Sequence, residues 1–303
     1  MGLAEALGIV PVIKRLALRE PWRLLSPYLR AGLAHAVAER LTRPWPELVI
    51  ASGRLSVPAS LFVKAQSRRA GQPCFTIQIQ DPVIASRHFD LVIAPLHDAL
   101  TGPNVISTLG SLHRIVPEKL SEGAKDLSAR ITGLAPPYIG VLIGGASAAY
   151  RLGNEQILAL ARQLKALAGT AHARLLVTPS RRTGKDNLAI LREALIDTPA
   201  FIWNEEDANP YFGILGLSDA LVVTVDSVNM ITEASATGKP VYIFDIPGGS
   251  AKSFRFRETL LARDHARKFT VPLEPYAPQP LREMERIAAE IKRRLAEPKL
   301  RIS

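Results

Sequence analysis

The sequence predicts an α/β protein made of two Rossmann-like domains, each built on a parallel sheet, facing one another across a cleft. Three observations lead there. Continuous β-branched runs such as Leu221-Val222-Val223-Thr224-Val225 read as strands buried on both faces. These runs alternate with helix-length segments, which implies crossover connections and parallel pairing. The chain has 303 residues, about two domains' worth, and 47% of them are hydrophobic, enough for two cores.

The first half, 1–133, is expected to be one domain. Its strands are read at Ile9–Ile13, Glu47–Ala51, Cys74–Ile79 and Asp90–Ala94, and its helices at Tyr28–Leu41 and Ser56–Ala70. ITGLAPP, from Ile131 to Pro137, reads as the linker. The second half, 134–303, carries expected strands at Tyr138–Ile143, Ala173–Thr178, Ala200–Trp203, Ala220–Val225 and Val241–Asp245. Helices are expected at Asn154–Ala168, Lys185–Ile196, Pro210–Gly216, Ser227–Thr237 and Ser253–Ala262. A last helix, 280–295, bears Arg282, Arg286, Lys292, Arg293 and Arg294 and is expected to pack back on the N-terminal domain.

Composition narrows the function classes. The net charge is +10 and spread out: residues 1–133 hold 16 Lys and Arg against 10 Asp and Glu, and the remainder 22 against 18. Basic blocks interleaved with aromatics are missing, so no nucleic-acid partner is expected. A general positive field favours anionic ligands or an anionic membrane surface. No apolar run approaches the roughly 20 residues of a membrane span. The lone cysteine, Cys74, leaves no intrachain disulfide and reads as a small core residue in a reducing compartment. No charged region leads into an apolar leader. The expected location is cytoplasmic, with peripheral contact at the inner membrane.

Ligands of open parallel sheets sit beyond the carboxyl ends of the strands, and that rule selects particular loops. After Ile143 comes Gly144-Gly145-Ala146-Ser147, where missing side chains let a ligand approach the backbone. Thr178 is followed by Pro179-Ser180-Arg181-Arg182-Thr183, a hydroxyl and guanidinium cluster suited to diphosphate oxygens. Trp203 leads to Asn204 and then Asn209-Pro210-Tyr211, which would frame a base. After the Leu221–Val225 run, Asp226 and Ser227 occupy a helix N-cap position, and Glu233 lies under two turns further on. A helix start there suits a phosphate, with Glu233 reaching a ribose hydroxyl. The alternative is an ordinary capped βαβ helix with Glu233 solvated.

Several longer stretches resemble a known family. They are QIQDP (Gln78–Pro82), FDLVIAPLHD (Phe89–Asp98), GPNVISTLGSLHR (Gly102–Arg114), LIGG (Leu142–Gly145), TPSRRT (Thr178–Thr183), NPYFG (Asn209–Gly213) and DSVNMITEASATGKP (Asp226–Pro240). The last resembles the donor motif of GT-B glycosyltransferases, with the peptidoglycan N-acetylglucosaminyltransferase group as a distant comparison. Over roughly residues 1–270 the chain is similar to the Elm-type family, named for plant mitochondrial fission and common in bacteria. The resemblance implies a GT-B-type fold and a nucleotide-sugar donor. Glu233 would bind the donor ribose, and Ser227, Asn229 and Met230 would line the diphosphate. Gly144 and Gly145 would pass close to phosphates and acceptor, while Ser180, Arg181 and Arg182 would neutralise leaving-group charge. Cofactors are expected to be none, and no metal is implied, because cationic side chains and a helix dipole stabilise the departing diphosphate. The resemblance also implies a first strand and Gly-rich loop ahead of Met1–Gly8, the segment that corresponds to the family's following helix.

For the acceptor side, His97 and Asp98 follow the Asp90–Ala94 strand, where a general base is geometrically reasonable. The alternative is a structural His. Ser52-Gly53-Arg54, Gln78, Gln80 and Asp81 lie at the neighbouring loops, and His113 and Arg114 read as hinge support. The expected activity is sugar transfer from a nucleoside-diphosphate donor to a cell-envelope glycan or a lipid-linked acceptor. A non-enzymatic, membrane-associated interaction protein is the alternative, with Trp22, Leu24, Leu25 and nearby Arg residues, or the basic last helix, docking on an anionic surface. A nucleotide-sugar epimerase of the short-chain dehydrogenase type is disfavoured. None of the six tyrosines has Lys four residues later, and Gly140–Gly145 lacks the Gly-x-x-Gly-x-x-Gly spacing.

Overall fold

The computed structural model describes residues 1–29, 32–37 and 39–296. They form two compact units, Met1–Leu112 with the segment from Glu283 onward, and His113–Arg282. The sequence-based division at 133/134 falls later than this boundary.

The first unit opens with α1 (Gly2–Leu7) and a short α2 (Trp22–Leu25). Its sheet has four parallel strands in the order β1 (Leu48–Ser52), β2 (Phe75–Ile79), β3 (Leu91–Pro95) and β4 (Val105–Thr108). Only β1 and β2 are joined through a helix, α3 (Val57–Arg69). The β2–β3 and β3–β4 connections hold nothing longer than a 3₁₀ turn. A parallel sheet needs both faces covered. Side chains alternate accordingly: Val92 and Ala94 pack with Val57 of α3, while Ile77, Leu91 and Ile93 point to the other face. That other face is covered by Leu3 of α1 and by Met284, Ile287 and Ile291 of the last helix, α10 (Glu283–Ala296).

The second unit follows through α4 (Pro117–Arg130). Then come β5 (Tyr138–Ile143), α5 (Asn154–Thr170), β6 (Arg174–Pro179), α6 (Lys185–Ala194), β7 (Ala200–Ile202) and α7 (Tyr211–Leu217). The remainder is β8 (Ala220–Thr224), α8 (Val228–Ala236), β9 (Val241–Phe244), α9 (Ala251–Ala262) and the two-residue β10 (Arg267–Lys268). All six strands are parallel, in the order β10-β9-β8-β5-β6-β7. The chain therefore builds the sheet outward from β5 to β7, returns through α7, and builds outward again from β8 on the other side. The gap between β5 and β8 is the topological switch point, the place where such sheets leave a crevice.

Two expected elements are corrected. Ile9–Ile13 forms no strand; Val10 and Val12 stand exposed, and Pro11 has no N–H to give a ladder. Tyr28–Leu41 is not a helix. Gly32 turns at φ 63, a 3₁₀ turn spans Leu33–His35, and Val37 bridges antiparallel to Leu18; residues 30, 31 and 38 of this stretch lie outside those described. Four elements were not anticipated, α2, β4, α4 and β10. The ITGLAPP segment lies within the second unit, between α4 and β5.

Candidate functional site

At the switch point the loops after β5, β6 and β8 are tied into one lattice. The N–H of Gly144 donates to Thr224 Oγ1 at 2.8 Å, and that of Gly145 donates to Asp226 Oδ2 at 2.8 Å. Thr224 Oγ1 donates in turn to Asp226 Oδ1 at 2.7 Å. Arg182 closes the set, donating to Asp226 Oδ2 at 3.0 Å and to the Gly145 carbonyl at 3.2 Å. From the β6 loop, the Ser180 hydroxyl donates to the Gly144 carbonyl at 2.7 Å, as does Thr183 at 2.5 Å. The Asp226 side chain is fully buried, and these donors supply the partners that a buried polar group needs.

The glycines are required by distance. A Cβ on Gly144 would lie 2.2 Å from Asp226 Oδ2, and one on Gly145 would lie 2.1 Å from the Arg182 backbone. No side chain larger than hydrogen fits at either position without the lattice opening. Asp226 thus acts as a bolt between strands, and Ser227 is the N-cap of α8, its Oγ accepting the Met230 N–H at 3.4 Å. Those of Val228 and Asn229, the first turn of α8, have no hydrogen-bond partner among the described residues.

Further along α8, Glu233 is half-buried and accepts from the Tyr211 hydroxyl at 2.5 Å. Tyr211 is placed by Asn209, whose Oδ1 accepts the Tyr211 N–H at 3.0 Å in the turn that opens α7. Burial pushes the Glu233 carboxyl up from its usual range, with the Tyr211 hydrogen bond opposing. The Tyr211 hydroxyl is pushed up as well, by burial and by the carboxylate it faces.

The structure therefore brings Gly144, Gly145, Ser180 and Arg182 together, and pairs Asn209 with Glu233 through Tyr211. Arg182 and Ser180 are committed to holding the loops. Arg181 is exposed and makes no hydrogen bond or ion pair with any described residue. Asn229 is exposed and Met230 half-buried on the first turn of α8. His97 and Asp98 belong to the first unit, half-buried on the 3₁₀ turn Leu96–Asp98 at the carboxyl end of β3 and both held by neighbours. Nearby in that unit, the buried Gln78 amide donates to Gly53 and Ile79 carbonyls, Arg54 donates to the Ser26 carbonyl, and Asp81 accepts the Val83 N–H in a turn.

Sequence reasoning named neither the Asp226 bolt nor the Tyr211 clamp. Thr224 carries a local signal, a polar residue in an otherwise apolar strand facing a Gly-Gly turn. Tyr211 and Glu233 are 22 residues apart on different helices, and no periodicity links them.

These features define the class: an α/β protein of two parallel-sheet, Rossmann-like units, with the loops of the second converging on its switch point. The chain belongs to the family described as Mitochondrial fission ELM1, which matches residues 1–295. The Mitochondrial fission protein ELM1 of Arabidopsis thaliana is 29% identical over 291 residues, covering 88% of this chain and 67% of its own. A protein of Rickettsia prowazekii (strain Madrid E), Uncharacterized protein RP120, is 24% identical over 286 residues, covering 82% and 79%. Among solved structures, MurG of Acinetobacter baumannii superimposes with a TM-score of 0.42 and 13% identity, over 84% of this chain and 67% of that one.

Proposed function

We propose that the protein is a metal-independent glycosyltransferase whose second unit binds a nucleoside-diphosphate sugar and whose acceptor is a cell-envelope glycan or a lipid-linked sugar. The observation that carries this reading is Glu233. It is a half-buried carboxylate on the helix that starts at the switch point, hydrogen-bonded to Tyr211 and lying under two turns from the start of α8. A fixed carboxylate accepts from the two hydroxyls of a ribose, while the diphosphate faces the helix start and the uncommitted Arg181. Gly144 and Gly145 let the β5 loop pack directly on Asp226 and the Arg182 backbone, which fixes the loops around the start of α8. Arg181 and the α8 dipole would stabilise the departing diphosphate. His97 or Asp98 would take the acceptor proton from the first unit.

Calorimetry of the purified protein against uridine diphosphate, guanosine diphosphate and their sugars tests the donor site. Binding of one of them, weakened at least tenfold in Glu233→Ala with the fold intact, is the expected result. Unchanged affinity in that variant removes Glu233 from the site. The name of the family and of its Arabidopsis relative favours a second reading, a non-enzymatic interaction protein at membranes. That reading takes over if no nucleotide binds the full chain.

A further inference from the structure

The stretch from Ile9 to Tyr28 carries apolar side chains that stand largely exposed among the described residues. Val10 is 96% exposed, Val12 86%, Leu24 74% and Tyr28 69%, with Ile13 and Leu25 also more than half exposed. An exposure near 96% means that a side chain stands clear of the protein on all sides, so a flat partner surface would cover only part of it. These residues also do not sit on a regular face. Between α1 and β1 the described residues hold only the four-residue α2 and one 3₁₀ turn, a long irregular connection of the kind that is retained for function.

The stretch is nevertheless pinned. The Arg19 N–H donates to the Ala36 carbonyl at 2.9 Å, and Leu18 bridges Val37. Ser26 is buried, its hydroxyl donating to the Arg54 carbonyl at 3.0 Å while Arg54 donates back to the Ser26 carbonyl. Leu24, Leu25 and Tyr28 therefore project from fixed points rather than from a loose tail. Charge points the same way. The stretch holds Lys14, Arg15, Arg19 and Arg23 against one carboxylate, Glu20, which is paired to Arg23 at 2.6 Å. Lys14 and Arg15 are exposed beside Val12 and Ile13, and neither pairs with a described residue.

From this we propose that residues 9–28 form a membrane-docking surface, in which the apolar side chains enter the headgroup and acyl boundary of a bilayer while Lys14 and Arg15 meet anionic headgroups. Apolar tips flanked by Lys and Arg, with an aromatic at the boundary, are what an anionic lipid interface accommodates. A protein interface core is instead depleted in Lys. No helix among the described residues is long and apolar enough to cross a membrane, so the contact is peripheral. This surface serves the lipid-linked acceptor of the proposed function but does not depend on the nucleotide site, which lies in the other unit.

Sedimentation of the full chain with vesicles tests it, using phosphatidylcholine alone and phosphatidylcholine mixed with phosphatidylglycerol. The protein should pellet with the mixed vesicles and release as salt rises. The pair Leu24→Asp with Leu25→Asp should weaken binding at least tenfold. The pair Lys14→Glu with Arg15→Glu should weaken it by at least roughly fivefold per cation lost. All four side chains are exposed, so both variants should keep the parent's melting temperature and nucleotide response, which separates failure of this surface from failure of the donor site. Absence of vesicle binding, binding indifferent to phosphatidylglycerol, or binding unchanged in both variants would overturn the proposal. So would a dimer in light scattering that the leucine pair dissolves without any vesicle binding, since the occupant would then be a second copy.

Discussion

Glu233 shows how one half-buried carboxyl makes stability depend on pH. Its carboxyl sits above the ordinary value of 4.5 because burial disfavours the charged form, and only the Tyr211 hydroxyl offsets this. For a carboxyl whose folded pKa is raised, the favourable contribution is fully present below the unfolded pKa and is lost as pH rises through the folded one. Thermal midpoints should therefore fall between the ordinary carboxylate range and the raised value. Glu233→Gln should flatten that part of the profile and be at least as stable as the parent at neutral pH, while binding nucleotide more weakly. Tyr211→Phe should cost about 1–3 kcal/mol in denaturant unfolding, because it leaves a half-buried carboxylate without its donor, and should extend the pH-dependent fall to higher pH. A flat parent profile would mean that the carboxyl is not raised. At this scale the place of Glu233 on a capped helix after a buried strand was legible, because strand, cap and helix are each written locally. The commitment of Arg182 was not. Two adjacent arginines look alike in sequence, and only geometry separates Arg182, bonded to Asp226, from Arg181, bonded to nothing described.

Among the elements, α4 and α7 pack more closely than ordinary helices because glycines line their contact. A Cβ on Gly213 would lie 2.5 Å from the Gly123 carbonyl oxygen, one on Gly123 2.7 Å from the Gly213 nitrogen, and one on Gly216 2.4 Å from the Leu120 carbonyl oxygen. Backbone stands on the opposite side at each point, so no rotamer change makes room. Gly213→Ala should accordingly lower stability by about 1–3 kcal/mol, the usual range for overpacking, despite alanine's better helix propensity. A gain in stability would show that the two helices part easily. The same contact explains why α4 escaped notice. Its sequence, PEKLSEGAKDLSAR, is polar with a Gly at its centre, and Leu127 is its one fully buried hydrophobic. Glycine reads as a breaker when neighbours are unknown and as a contact residue when they are known. The Ile9–Ile13 run failed in the reverse sense: strand-forming residues, but no strand beside them to pair with.

Across the whole molecule, the chain leaves its first unit, builds the second, and returns to complete the first. Leu109 N–H donates to Glu283 Oε2 at 2.9 Å, and Ile287 and Ile291 are fully buried in a core shared with Ile77, Leu91 and Ile93. The first sheet has one crossover helix for three connections, so its uncovered face draws on the far end of the chain. Ile287→Ala should cost about 2–5 kcal/mol. In scanning calorimetry it should lower the transition of the first unit while leaving that of the second in place. Equal shifts in both would mean that the two units unfold as one. The strands other than β4 and β10, and their parallel character, were legible in the sequence itself, since each is written as a local apolar run alternating with helix-length segments. So were the loops around Gly144, Ser180 and Ser227, because turn residues after such runs mark carboxyl ends. Only the tertiary structure decided the order of the strands, and with it the switch point between β5 and β8. It also decided which helix covers the first sheet, which arginine is spent on Asp226, and that Tyr211 holds Glu233. Periodicity records what each segment needs from its surroundings, whereas the partner that meets the need lies tens to hundreds of residues away and leaves no pattern in the segment.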